Sequence, residues 1–211
     1  MNTLLEKNFR FLARPLNLAS RLWLLLGAAA IVASFLFPLW KIRLVAPQYD
    51  EGLTLRIYSY QIAAGNNGQD LKEINQLNHY IGMKPLHEAD FLEMRWIPFV
   101  LGFFLLFTLR GAVFGMMRYV VDLLMLFIYF GAFSLGSFAF RLYTYGHQLD
   151  PRAAVTIEPF MPVMIGTQQI ANFRQSSLPE AGSFFLAAYA LCLALAIWTS
   201  RKETLSRKEA L

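Results

Sequence analysis

The sequence predicts a membrane protein of mainly α class: four transmembrane helices, both termini cytoplasmic, and two ordered outer loops that form a small α+β cap. Three observations predict it. Hydrophobic residues make up 56% of the 211 and charged ones only 16%, against about 25% charged in an ordinary soluble domain. The apolar residues are clumped into four runs near the length that crosses roughly 30 Å of hydrocarbon. The bases are also distributed unevenly between the segments that separate those runs, and this asymmetry sets an orientation.

Residues 1–20, "MNTLLEKNFRFLARPLNLAS", mix Phe9, Phe11, Leu12 and Leu16 with bases. They read as a cytoplasmic, interfacial leader broken at Pro15, with a disordered basic leader as the competing reading. The first span covers 21–40. Its run "LWLLLGAAAIVASFLFPLW" carries no charge and ends in Phe37, Pro38, Leu39 and Trp40, not in a small-residue cleavage site, so it reads as a retained anchor.

Residues 41–95 form the first outer loop. "LTLRIYSYQI" has the alternation and β-branched content of a strand, which "KIRLV" pairs with across "APQYDEG". "GNNGQD" is a loop with Asp70 as the N-cap of a following helix. That helix, "LKEINQLNHYIGM", places Leu71, Ile74, Asn78 and Ile81 on one side at helical spacing, and Asn75, His79 and Met83 on a second stripe. Pro85 ends it, and His87 follows.

The second span, 96–110, reaches membrane length with 91–95 at its outer end, and Phe99, Phe103, Phe104 and Phe107 read as lipid-facing. The third, 118–140, contains Asp122, which Arg118 one turn earlier is expected to pair. Ala132 with Gly136, and Ala188 with Cys192 in the fourth span (182–200), are small residues four apart that permit close helix contact. Between these spans, 141–181 is a second outer loop punctuated by Pro151, Pro159, Pro162 and Pro179. It shows little helical periodicity before "GTQQIANF" and is expected to be extended and packed on the first loop. Residues 201–211 form a cytoplasmic tail.

The leader with Arg21 just after it, the hinge at Arg110 and Arg118, and the tail together hold ten bases against three acids, while 41–95 and 141–181 hold nine bases against ten acids. The excess of bases marks the cytoplasmic side. The overall charge of +5 is therefore a topological signal and implies neither nucleic acid nor nucleotide as partner. Cys192 is the single cysteine, which excludes an intramolecular disulfide and a thiolate cluster.

All three histidines, His79, His87 and His147, lie in the two outer loops with Met83, Met94, Met161 and Met164. Imidazole with thioether and no thiolate suits copper, since soft sulfur favours Cu(I) and imidazole serves both oxidation states. His79 and Met83 at i and i+4 would share one helix face, with His87, His147 or Met161 completing the ligands. The competing reading makes His79 a hydrogen-bonding residue of the cap and packs Met83 beneath it. No span contains a histidine for an intramembrane haem. No nucleophile motif accompanies Glu88, Asp90 and Glu93, which read as a solvated acidic rim, so the chain is not expected to be an enzyme.

"APQYDEGL", "INQLNHYIGM", "GHQLDPRAAVTIEPFMPVMIGTQQIANF" and "SLPEAG" together resemble small four-helix membrane accessory proteins of copper-enzyme gene clusters, of the nitrous oxide reductase type. The resemblance covers about half the chain, including Asn78, His79, Gly82, Met83, His147, Asp150 and Pro151. It implies an accessory role in maturing, metallating or supplying electrons to a periplasmic copper enzyme, in the bacterial inner membrane, and carries over no catalytic residue. The first expectation is therefore copper handling at the periplasmic face by His79, Met83, His87, His147 and Met161. The alternative is a non-catalytic docking subunit of a larger membrane complex, with the lipid bilayer and a periplasmic or membrane protein as partners and no metal of its own.

Overall fold

The segment "WKIRLVA" alternates apolar and basic residues, and a computed structural model, which describes residues 3–170 and 172–209, makes it the central strand of a five-stranded antiparallel sheet. The chain runs α1 (Thr3–Leu12), α2 (Leu18–Leu36), β1 (Trp40–Ala46), β2 (Tyr49–Ile57), β3 (Ile62–Ala64), α3 (Gln69–Tyr80), α4 (Glu93–Phe114), α5 (Met117–His147), β4 (Gly166–Ile170), β5 (Phe173–Pro179) and α6 (Ala181–Glu209). The first two residues of the leader and the last two of the tail lie outside the described residues. The fold is mainly helical, and α2, α4, α5 and the Ala181–Arg201 part of α6 are long and apolar enough to cross a membrane. α4 begins at Glu93 and α5 continues to His147, so both helices extend past the apolar runs read as 96–110 and 118–140. Two compact units divide the chain.

The sheet unit comprises residues 34–98 and 133–184. Its strand order is β3-β2-β1-β5-β4. β1 and β2 form the expected hairpin, with Leu44 opposite Leu53 and Ile42 opposite Leu55. The second inter-helix segment joins the same sheet, with Leu44 of β1 opposite Gln175 of β5. Because side chains alternate along a strand, one face carries Leu44, Ala46, Leu53, Leu55, Ile62, Ile170 and Phe173, and α3 packs on it with Ile74 and Leu77, followed by Ile81 at its C-cap. Each leucine, isoleucine or phenylalanine side chain among them, fully buried, contributes roughly 1.5–3 kcal/mol. Lys41, Arg43, Arg56 and Arg174 occupy the opposite positions and stand on the other face.

Three local expectations change. "LTLRIYSYQI" is two strands, because Tyr58 N–H bonds Gln61 O at 2.8 Å and turns the chain back, so that Ile62 pairs with Ile57. "GTQQIANF" is a hairpin in which Ile170 is the register partner of Phe173, so these two apolar residues share a face across its turn. Asp70 is not the N-cap of α3, which is Gly68. Its buried carboxylate instead accepts Thr54 N–H at 2.8 Å and Asn66 Nδ2 at 2.7 Å, tying α3 to β2. Glu73 makes a second tie, accepting the Tyr49 hydroxyl. That bond, with one from Gln69, holds the Glu73 carboxyl below the usual carboxylate range.

The helical unit comprises 1–33, 99–132 and 185–211. Leu24, Ile31, Leu101, Val120, Leu193 and Ala196 are buried in it. Gly27 lets α2 approach α6, since a Cβ there would stand 3.1 Å from the Tyr189 ring and 3.3 Å from Cys192 Cβ. By contrast, Gly131 and Gly136 of α5 meet nothing within 4 Å. Phe99, Phe103 and Phe107 are exposed as expected, but Phe104 is 3% exposed. It packs edge-on against Phe127 and Tyr189, at centroid distances of 5.3 and 6.3 Å. Arg118 and Asp122 are both exposed, and among the described residues the ion pairs are Glu6–Arg10, Lys41–Glu180 and Glu93–Arg141, so the expected Arg118–Asp122 pair is not formed.

Inside this unit Thr108 Oγ1 donates to Phe104 O at 2.7 Å, which leaves the Tyr189 hydroxyl as donor in the 2.7 Å bond between them. Tyr189→Phe should therefore cost only about 1 kcal/mol, the net value of one hydrogen bond. Tyr189→Ala should cost about 3–5 kcal/mol by opening a cavity. Thermal unfolding of the detergent-solubilised chain checks both, and equal losses would contradict this placement of the ring.

Candidate functional site

The "NHYIGM" stretch is a helix stop. Gly82 N–H bonds His79 O at 3.2 Å and Met83 N–H bonds Asn78 O at 2.8 Å, while Gly82 adopts φ +80°. This is the Schellman arrangement, in which a left-handed glycine reverses the chain and the residue after it folds back toward the helix. The helix consequently ends at Tyr80, before Pro85. His79 and Met83 do not share a helix face: His79 is exposed on the last turn, and Met83 packs against the hydrophobic core of the sheet unit. Beyond Met83 the chain is held by Asn75, whose side chain accepts Leu86 N–H at 2.7 Å and donates to Leu86 O at 3.2 Å. His87 follows that clamp and is exposed.

The second motif interlocks with this stop. Asp150 N–H bonds Gly82 O at 2.8 Å and Val155 N–H bonds Tyr80 O at 3.1 Å. Lys84 Nζ donates to Gln148 Oε1 at 2.6 Å. "DPRA" is a β-turn: Ala153 N–H closes on Asp150 O at 3.2 Å, Pro151 sits at its second position, and Asp150 Oδ1 caps Arg152 N–H at 2.9 Å. Farther along, Phe160 N–H bonds Gly146 O at 3.1 Å. A Cβ on Gly146 would lie 2.0 Å from Phe160 O, so the contact needs glycine.

These bonds bring the chain around His79 and Met83 beside the chain around His147 and Met161. His147 Nδ1 donates to Tyr143 O at 3.0 Å, and its ring stacks on Tyr143 with centroids 3.8 Å apart. Met161 is 41% exposed. Beside it, Ile157, Glu158, Phe160, Gln168 and Ile170 line a shallow open groove. No three His, Cys, Asp or Glu side chains among the described residues gather into a metal-binding group.

One polar cluster was not foreseen. Glu93 does not belong to the solvated acidic rim expected with Glu88 and Asp90: it accepts both Arg141 Nε at 3.0 Å and Arg141 Nη2 at 2.6 Å, and the Ser137 hydroxyl at 2.9 Å. Arg141 also lies 4.9 Å from the Phe91 ring centroid. A bidentate, half-buried pair of this kind links two helices with defined geometry. The sequence signal was weak: two opposite charges, each at the edge of an apolar run, 48 residues apart.

No protein-family model, curated protein or solved structure matches the chain. The fold defines its class at a coarse level: four helices of membrane-spanning length and a five-stranded antiparallel sheet with a helix packed on one face, over β2 and β3.

Gly82→Ala tests the interlock. It forces a side chain into a positive-φ backbone and puts a Cβ 2.7 Å from Asp150 O. Destabilisation of about 2–3 kcal/mol is expected, together with faster proteolysis between 148 and 165. Unchanged stability and cleavage would contradict the Gly82–Asp150 contact.

Proposed function

We propose that the protein is a membrane-anchored, non-catalytic accessory subunit whose sheet unit docks a partner protein through the face that α3 leaves uncovered. The observation that carries this reading is the composition of that face. Lys41, Arg43, Arg56 and Arg174 stand on it at neighbouring register positions, with Thr54 and Ser176 between them. Arg43, Arg56 and Arg174 are exposed. Arg43 is held in place by its 2.6 Å bond to Glu51 O, and Lys41 is tethered 3.9 Å from Glu180. A face of this charge fits an acidic partner surface, which would gain both encounter rate and orientation from it. The four apolar helices anchor the chain in the bacterial inner membrane, with both termini cytoplasmic and the sheet unit periplasmic. Supporting that orientation is the balance of charge in 41–95 and 141–181, nine bases against ten acids.

Protein extracted from native membranes in mild detergent should retain one stoichiometric partner. Arg43→Glu, Arg56→Glu and Arg174→Glu together should release it while the melting temperature is unchanged. A partner kept by the triple variant would sink the docking face.

A second reading, copper handling for a periplasmic enzyme, is favoured by the hydrogen bonds that join the His79–Met83 segment to the His147–Met161 segment. His147 suits a metal ligand: its Nδ1–H is committed to the Tyr143 carbonyl, which leaves Nε2 as the lone-pair nitrogen, as behind many metal-bound imidazoles. Copper would be cargo, taken by His147 and His79 with the Met161 thioether, and Met83 and His87 alongside. His79→Gln with His147→Gln should lower Cu(I) affinity at least about tenfold in competition with a chelator, one strong ligand being worth that much or more. Affinity that survives the double change would dismiss this reading.

A further inference from the structure

At one end of the helical unit three stretches of chain distant in sequence are drawn together. Met117 N–H bonds Arg14 O at 3.0 Å and Leu16 N–H bonds Gly115 O at 2.5 Å, an antiparallel bridge between the segment after α1 and the two-residue turn joining α4 to α5. Asn17 Nδ2 reaches Thr199 O at 3.4 Å, and the Ser20 hydroxyl donates to Ala196 O at 2.6 Å, which adds the last membrane-length turn of α6. The arginines carried by these stretches, Arg10, Arg14, Arg21, Arg110, Arg118 and Arg201, therefore share one end.

We propose that this end is a binding surface for anionic phospholipid headgroups, with α1 lying along the headgroup layer. The proposal rests on the reading of the four apolar helices as membrane spans and is independent of the docking face. Charge is the first argument. The segments meeting here hold ten bases and three acids in the sequence. Of those acids Glu6 spans 4.0 Å to Arg10, Glu203 and Glu209 belong to the tail, and Asp122, one turn from Arg118 on α5, adds a fourth.

The second argument is what stands between the bases. Phe9 of α1 is 65% exposed and Phe114 at the end of α4 is 64% exposed. On the helical wheel Glu6 and Arg10 lie together, with Phe9 and Leu12 on the adjoining side, the division an interfacial helix needs. Arg110 lies 5.6–5.8 Å from the ring centroids of Phe107, Phe114 and Tyr119. The atom that lies against those rings is the guanidinium carbon, and the residue as a whole is exposed, so this base sits among aromatic rings at the end of α4. Arg21 is differently engaged, donating to Val113 O at 3.1 Å and so bracing the α4 end.

The test uses the full chain in detergent, titrated with phosphatidylglycerol or phosphatidylcholine and read by native mass spectrometry. Phosphatidylglycerol should be retained preferentially. Arg10→Gln, Arg14→Gln, Arg110→Gln and Arg118→Gln together should lower that retention at least about tenfold, given the attraction each base contributes near an anionic surface. Arg43→Gln, Arg56→Gln and Arg174→Gln should leave it unchanged. Equal retention of the two lipids, or a quadruple variant that keeps phosphatidylglycerol, would overturn the proposal.

A nitroxide at Phe9→Cys in a Cys192→Ser background adds a readout that does not rely on the arginine variants. In phosphatidylglycerol-containing nanodiscs it should collide with oxygen more than with a water-soluble relaxant, and a label freely exposed to water would overturn the placement of α1. A chain that stays in solution without detergent would instead overturn the membrane reading beneath the proposal.

Discussion

The sheet unit depends on β1 having a partner on both sides. A lone hairpin is marginal in water, and β1–β2 with the three-residue β3 would leave one long edge of β1 unpaired. β5 fills that edge in antiparallel register from Trp40–Pro179 to Val45–Arg174. This pairing sets which residues of the second inter-helix segment face α3 and which join the basic face. Ser177 reports how closely it is specified: it accepts Trp40 Nε1–H at 2.8 Å and donates to Met164 O at 2.8 Å, so a buried indole and a half-buried carbonyl are satisfied by one hydroxyl. A one-residue slip would turn Ser177 away from both. The two sheet edges left over, β3 and β4, are only three and five residues long, which limits unwanted pairing.

Much of this was legible where a short period governs the pattern. Four apolar helices, the β1–β2 hairpin and the buried stripe of Ile74, Asn78 and Ile81 follow from spacing alone. The second inter-helix segment was readable as extended and packed on the first, but its strands were not, because "FRQSS" buries a glutamine and a serine where alternation would show apolar residues, and "GTQQI" offers only one large apolar residue. Gln175 and Ser177 are buried, and only their neighbours in space make that tolerable.

The candidate site was less legible for a related reason. Spacing of four between His79 and Met83 implies a shared face only if the helix continues. Gly82 decides otherwise, and the glycine was visible in "NHYIGM" as the residue able to hold φ +80°. Likewise Asp70 sits where an N-cap is expected, yet its partners lie on β2 and in the preceding turn. Glu93 and Arg141 illustrate the harder case, since no local rule links two charges on different helices. Their partnership is a property of how α4 and α5 pack, as is the burial of Phe104 in a helix otherwise rich in exposed phenylalanines.

The β1–β5 pairing also has a kinetic consequence. Trp40 and Pro179 are register partners 139 residues apart, so closure of the sheet carries a large loop entropy and cannot occur until β5 has been synthesised. The β1–β2–β3–α3 half is complete by Tyr80. From then until Pro179 emerges, one side of β1 stays open to any strand that offers itself. The order of synthesis therefore makes the nascent chain most exposed to mispairing while α4 and α5 are being made. The intramolecular partner that ends this interval arrives immediately before the last helix.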